Sequence, residues 1–560
     1  MSEPSTGSTA KSGQRRGGPL LWLASWLILP LISLVVLLAT LFHMPPFYAW
    51  YIDPTYPYLL NGLSLTQGLP PGHTDHPGTS LQILVALVIV ASHLVLDGSG
   101  EVVSSVIRFP ETYLEITGVV QALLFVASYS ISSYRILRSF GYFIGFIFSI
   151  SVLAAVNLWL PWVVVATPES LVVSMSLLLV AIFAPVLRRP NADISLFLST
   201  VAGVVLAIAI TAKVIALPLA LLAFVLLGPR RSLPVLAAAA ATAVAILIPV
   251  MNQFPRMIDW YTSVGTGTAR YGQDATTSIT ENLRAAVRIV TFEYPFIWLA
   301  LMASGIAFIV LATSPQRDRI GSTPFRAVTA VLTAVLATTA FGIKVSHERD
   351  FITLTALVPA LIVTSWNLIS QSRWPSQLSE EQPRRSPWTL VALALAPMIV
   401  ASVLVGLALQ GMTQTASSAS QRLKDYETLP STSLARGVTF DVPDPVYALY
   451  FGDGWTQGDA FLADIGSAYS GALDFDPWAR TLTGTDPSGL AGSLTCNDLR
   501  NLLRDRGVVL LMPEASLSVA DPDATGAIAL NQGFQIYYEP DQNLVTSGGF
   551  IQVTPLACSQ

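Results

Sequence analysis

Charge is what this chain most lacks. Only 12% of its 560 residues are Asp, Glu, Lys or Arg, about half of what a soluble domain carries. The net charge of -5 is small and dispersed along the chain, so a nucleic-acid partner is excluded. Cysteine is nearly absent: Cys496 and Cys558 are the whole complement, and both follow the last long apolar run. No GxxxxGK[ST] motif occurs, and no GxGxxG sits between a strand and a helix. Those are the glycine loops that cradle nucleotide phosphates. The stretch Gly452–Gly458, GDGWTQG, is crowded with glycine but lacks that spacing.

What the chain has instead is apolar length. Hydrophobic residues make up 52% and mean hydropathy is +0.58. Runs of about 20 apolar residues recur over the first 410 positions, the length one helix needs to cross a hydrocarbon core about 30 Å thick. The pattern predicts an α-helical polytopic membrane protein of about eleven transmembrane helices. The spans fall near 20–43, 116–134, 141–158, 166–187, 193–212, 214–228, 233–251, 294–313, 326–345, 351–369 and 388–410. Residues 1–19 form a polar tail carrying Lys11, Arg15 and Arg16. The run Leu20–His43 is long for a signal peptide and no small-residue cleavage site follows, so it reads as a retained first span.

Basic residues set the orientation, because Lys and Arg concentrate in short cytoplasmic loops. The pairs Arg135 and Arg138, Arg188 and Arg189, Arg230 and Arg231, Arg317 and Arg319, and the group Arg373, Arg384 and Arg385 fall on alternate loops. They share a side with the N-terminal tail. Counting Leu81–Leu96 as a further span would reverse every later loop. It is short and contains His93, which fits a juxtamembrane or re-entrant helix. It is therefore assigned to a long outer loop over 44–118, within a transmembrane domain over 20–410. The chain is thus expected in the cell membrane, with a cytoplasmic N-terminus.

Residues 411–560 lose the apolar periodicity and gain Gly, Asp, Pro and Thr punctuation. Short β-type runs at Val446–Phe451, Val508–Met512, Phe534–Tyr538 and Phe550–Val553, with a helical Asn497–Asp505, predict a soluble mixed α/β domain. About 150 residues suffice for an independent core. An odd number of spans puts this domain outside, where Cys496 and Cys558 read as a disulfide, the alternative being two unlinked structural thiols.

The ionisable residues that are not cytoplasmic anchors gather at the outer face. The stretch Tyr51–Gln82 holds Asp53, His73, Asp75, His76 and five prolines. Asp53 lies just past a span between Tyr51 and Tyr56, where partial desolvation makes a carboxylate a better base. The structural alternative is a Pro-rich loop with an interfacial tyrosine belt. Glu169 heads the fourth span, as a donor-sugar ligand or as an acid favoured at a helix N-terminus. Lys213 lies at a tight turn, Arg256 after the seventh span, and His347, Glu348, Arg349 and Asp350 between the ninth and tenth. Ionisable groups at membrane depth are costly and usually functional. Snorkelling is the alternative for Lys213, and an ion pair with Glu348 or Asp350 for Arg349. His73, Asp75 and His76 have a spacing that could hold a divalent metal. Three ligands on one loop make a loose signal, and a structural or acceptor-binding role is the stronger reading.

In their order along the chain, several short elements resemble the GT-C superfamily of membrane glycosyltransferases, whose relatives include protein O-mannosyltransferases and lipid A aminoarabinose transferases. These are Asp53 soon after the first span, His76-Pro77-Gly78 opening a juxtamembrane helix, TPES at Thr167–Ser170, Lys213, and HERDFITLTALVPA at His347–Ala360. The resemblance covers roughly residues 20 to 370. It implies a sugar transfer from a polyprenyl-phosphate-linked donor to a glycan, lipid or protein acceptor at the outer face, among membrane lipids. Asp53 is then the base taking the acceptor's proton. Many relatives carry two adjacent acids there, whereas Pro54 follows Asp53 here, which leaves metal dependence and the details of acceptor activation open.

The phosphate leaving group departs anionic, so it calls for cations rather than a general acid. Lys213 and Arg349 are the first candidates and Arg256 the third, with Tyr56, His73, His76, Glu169 and His347 as substrate-binding candidates. With no cytoplasmic domain of any size, a nucleotide-sugar donor has nowhere to bind. The competing classes are a transporter or flippase, which usually places charge at mid-membrane and carries repeats, and a non-catalytic scaffold for envelope assembly. Acceptor glycan is expected on Tyr450, Trp455 and Trp478 of the soluble domain.

Overall fold

The computed structural model describes chiefly residues 22–74, 78–96, 100–189, 191–266, 322–345, 348–371, 387–427 and 445–469, together with short strands between 436 and 559. Among the described residues, seven helices are long and apolar enough to cross a bilayer, and a bent pair makes an eighth. The chain is an integral membrane protein built on a helical bundle.

A short π-helical stretch, Ala24–Ile28, leads into α1 (Leu29–His43), α2 (Phe47–Trp50), α3 (Thr55–Thr66), α4 (Thr79–Leu96) and α5 (Val102–Arg108). The bundle continues with α6 (Pro110–Phe140), α7 (Tyr142–Ala154), α8 (Val156–Val163), α9 (Pro168–Arg188), α10 (Leu196–Ala212), α11 (Pro218–Leu227), α12 (Pro229–Leu247) and α13 (Phe254–Thr266). After residues outside the described set come α14 (Ser322–Val345), α15 (Leu354–Gln371) and α16 (Pro387–Glu427). Proline opens α6, α9, α11 and α12, the one helical position where its missing N–H costs nothing. Gly141 and Gly228, at φ 97° and 77°, make the sharp reversals between α6 and α7 and between α11 and α12, a backbone region that excludes most side chains.

The core runs through α9, whose apolar window is 83% buried. Trp159, Phe125, Phe148 and Phe183 fill the space around it, and the Trp159 indole donates to the Val152 carbonyl at 3.0 Å. In this apolar setting Ser174 and Ser176 satisfy their hydroxyls on the carbonyls one turn back, at 2.7 and 2.6 Å, since no water is there to do so.

The segment between α1 and α6 closes on itself. Glu111, in the first turn of α6, accepts hydrogen bonds from the Phe47 and Tyr48 backbone N–H groups at 2.6 and 3.3 Å and from the Tyr56 hydroxyl at 2.5 Å. The end of α1 and the start of α6 therefore share one level. α4 satisfies length and composition for a span, yet the chain before and after it meets the same region. Asn61 of α3 donates to the Trp455 carbonyl at 3.2 Å, and the Tyr469 hydroxyl donates to the Ile107 carbonyl of α5 at 3.0 Å. α4 buries Leu81, Val85 and Ile89 against the bundle and exposes Leu87, Leu94 and Val95.

Three differences from the sequence reading have physical causes. α16 runs on without a break to Glu427, past the composition change at 411, because Ala, Gln, Arg and Lys are good helix formers when solvated. Residues 142–163 form two helices bent by 60° around Ala155 rather than one straight helix. Val446–Phe451, expected as a strand, is instead the body of α17 (Pro445–Asp453). Its aromatic and β-branched residues suggested a strand. Val446 through Tyr450 are all buried, so no period marks a helix face, and Pro445 starts it. α18 (Leu462–Ala468) follows.

Further on, strands β1 (Arg436–Val438), β5 (Val509–Pro513), β8 (Phe550–Ser559), β7 (Phe534–Pro540) and β6 (Gly526–Leu530) pair in that order. β1 and β5 are parallel, and the remaining pairs antiparallel. β2 (Leu473–Asp476), β3 (Thr481–Gly484) and β4 (Gly492–Ser493) form a second, antiparallel group. Asn497–Asp505 and Cys496 lie outside the described residues, as does the span expected at 294–313.

Candidate active site

Three separate segments bring charged side chains together at one end of the bundle. Glu169 comes from the first turn of α9 and Lys213 from the break after α10. Arg349 and Asp350 come from the 3-10 turn Glu348–Phe351 that leads into α15. The α10 helix stops at Ala212 because Lys213 takes an extended conformation, φ -155° and ψ 129°. The freed backbone is used: Gly78 N–H donates to the Ala212 carbonyl at 3.2 Å, and the Ser80 and Thr211 hydroxyls bond at 2.5 Å. The start of α4 thus braces the lysine turn. Gly78 sits at φ 60°, and a Cβ there would meet the Tyr58 ring at 2.6 Å.

Lys213 Nζ donates to Glu169 Oε1 at 2.7 Å and to Asp350 Oδ1 at 2.8 Å, with all three side chains buried. Arg349 Nε lies 3.9 Å from the same Glu169 oxygen and its side chain is more open, at 23%. Two acids and two bases leave the cluster neutral, which is what a low-dielectric site tolerates. Lys213 is spent on its two carboxylates. Arg349 faces outward, where its guanidinium bonds the Tyr51 side chain and its field acts on Asp53.

Asp53 stands between this cluster and a cavity of about 200 Å³ lined by Tyr48, Trp50, Tyr51, Asp53, Arg422, Tyr447 and Phe451, among others. Asp53 is exposed on the cavity side, and the protein around it still removes part of its hydration. That loss raises its pKa above the ordinary carboxylate range, and the Arg349 charge opposes the rise. Burial likewise pushes the Tyr51 hydroxyl well above its usual value, with Glu169 adding to the effect.

Asp53, Glu169, Lys213 and Arg349 are thus brought together. Tyr56 is not: it is fully buried and bound to Glu111. His73 also lies apart. Its ring is tucked against Tyr58 and Trp455, with centroids 5.1 and 4.9 Å away. Its backbone N–H donates to Asn61 and its carbonyl accepts from Gln82. Burial first, and the Arg256 charge second, push its pKa down to about 4, so it is neutral near pH 7. Arg256, exposed on α13, sits near His73 rather than in the cluster. His76, Asp75 and His347 lie outside the described residues. Among the described residues no group of three or more His, Cys, Asp or Glu side chains is arranged to hold a metal.

Sequence reasoning missed the Lys213–Asp350 pair as such, the Glu111 brace and Arg422. Only Glu111 left a trace, as an acid directly after a proline at a helix start.

No family model matches the chain, and no curated protein matches its sequence. Among solved structures it is similar to ArnT from Cupriavidus metallidurans bound to undecaprenyl phosphate, with TM-score 0.47 and 13% identity over 95% of this chain and 98% of that one. It is also similar to the oligosaccharyltransferase AglB from Archaeoglobus fulgidus in complex with an inhibitory peptide and a dolichol-phosphate, with TM-score 0.41 and 11% identity over 88% and 70%. Both are GT-C superfamily membrane glycosyltransferases, the superfamily that the sequence motifs resemble.

Proposed function

We propose that this protein is a membrane glycosyltransferase that moves a sugar from a polyprenyl-phosphate donor to an acceptor hydroxyl at the outer face of the membrane. One observation carries the reading: a carboxylate that lines a cavity, its pKa raised, lies within the field of an arginine beside a neutral, buried ion cluster. The reaction requires such a base and such a cation in one site. Asp53 accepts the proton of the acceptor hydroxyl while its oxygen bonds to the anomeric carbon. The bond from that carbon to the phosphate oxygen breaks, and its electron pair leaves with the phosphate, which gains a second negative charge. Arg349 holds that charge. Lys213, saturated by Glu169 and Asp350, positions the turn bearing Arg349 rather than binding phosphate first.

The membrane topology proposed with this site has eleven spans, the bent pair α7 and α8 counting as one and α4 lying on the outer side. The N-terminus is cytoplasmic, and residues beyond α16 form an outer α/β domain. Charges gathered at one end of the bundle speak against a mid-membrane transport pathway.

The test is an assay of the purified full-length protein in lipid nanodiscs with a panel of polyprenyl phosphate sugars. Consumption of one donor, abolished in Asp53→Asn at equal thermal stability, is the expected result. Failure to consume any donor, or an Asp53→Asn variant as active as the parent, overturns the reading.

A further inference from the structure

Resting on that reading, the geometry points to the cavity beside Asp53 as an acceptor subsite for a single sugar residue, with Arg422 and the Tyr447–Phe451 face of α17 as its recognition elements. Neither Lys213 nor Arg349 lines this cavity, whereas Asp53 does. The cavity thus meets the base directly, where the attacking hydroxyl belongs, and meets Arg349 only through Tyr51. At about 200 Å³ it is smaller than the roughly 300–1,000 Å³ of drug-sized ligand sites, and suits one ring rather than a chain.

The lining chemistry is that of a sugar. Tyr48, Trp50, Tyr51, Tyr447 and Phe451 supply aromatic faces, on which the C–H faces of a sugar ring pack. Tyr447 and Phe451 stand one helical turn apart and so present one face, with ring centroids 6.3 Å apart. Arg422 supplies the polar anchor. Its planar fork donates to pairs of oxygens, and among the described residues no hydrogen bond or ion pair occupies it. The soluble region thus completes the site through α17. Tyr450 and Trp455 are committed elsewhere: Tyr450 is buried and Trp455 packs on His73. An extended peptide would need an open groove or a sheet edge, and this lining offers neither.

Binding can be read without any donor. Full-length protein in nanodiscs is titrated with methyl glycosides and disaccharides of neutral hexoses, pentoses and uronic acids, and with a serine-containing hexapeptide. Binding is followed by saturation-transfer NMR. At least one glycoside is expected to bind saturably and the peptide not. Arg422→Gln and Phe451→Ala are each expected to weaken that glycoside about tenfold, a typical loss for one buried anchor. Phe451→Leu keeps the apolar wall and removes the ring, so it reads the same loss if the alanine variant does not fold. With an active donor, the acceptor KM rises about as much while the donor KM stays. No glycoside binding, peptide binding instead, or glycoside affinity unmoved by Arg422→Gln and Phe451→Leu overturns the assignment. Donor consumption that depends on Asp53 but ignores these variants overturns the subsite while leaving the transferase reading standing.

Discussion

Asp53 and Glu111 are two acids at the two ends of one loop, and their surroundings differ in kind. Glu111 is half-buried and answered by three donors, from Phe47, Tyr48 and Tyr56, which fill three of the about four acceptor positions of a carboxylate. Asp53 is exposed on a cavity, with one neighbouring cation moderating its pKa. Saturation marks an acid that holds a fold together, and an open flank marks one that can exchange a proton.

The sharpest way to break that contrast is to replace each acid. Asp53→Asn should lower turnover by about 10²–10⁴-fold, the usual worth of a positioned base, with thermal unfolding in detergent unchanged. If Glu111→Ala lowered turnover per folded molecule as much, the two acids would not be distinct. Lys213→Met extends the comparison to the cluster. It takes their shared cation from Glu169 and Asp350 and leaves Glu169 only the more distant Arg349, which costs about 3–5 kcal/mol, read as a lower unfolding midpoint. Lys213→Met combined with Glu169→Gln should recover part of the loss. Glu111→Ala itself should cost about 1–3 kcal/mol by orphaning its donors, seen in the same unfolding assay, while Glu111→Gln keeps an acceptor and costs less.

The smallest effect is a shift. In the proposed role Asp53 must be ionised, and its folded pKa is raised, so activity should rise with pH along a limb above the ordinary carboxylate range. Removing the Arg349 charge takes away the influence that lowers that pKa, so residual activity in Arg349→Gln should rise along a limb at still higher pH. A limb that stayed where it was would show that the two groups do not interact.

Much of this site could be read from the sequence because its members stand where apolar runs are interrupted. Asp53, Glu169, Lys213 and Arg349 are each conspicuous in a chain that carries so little charge. Their partnership was harder to see. Which carboxylate meets Lys213 depends on the 137 positions between it and Asp350 closing into one bundle, and no local period encodes that. Tyr56 looked equivalent to Tyr51 because both flank Asp53. Entry into α3 turns Tyr56 inward to Glu111. Arg422 was unremarkable because it lies in a solvated stretch of ordinary composition, and only the unbroken course of α16 carries it back to the loop. Likewise α17 hid its helix by being buried on every side.

That unbroken course has a mechanical side. At 41 residues and 1.5 Å per residue, α16 is about 60 Å long, about twice the depth of a hydrocarbon core. It is a mast stepped in the bilayer with Arg422 near its head, and its angular setting is geared to whatever the lipid-embedded turns do. One alanine inserted near residue 411 would swing the guanidinium by about 100° and raise it 1.5 Å. Four would bring it almost back to its bearing, one turn higher.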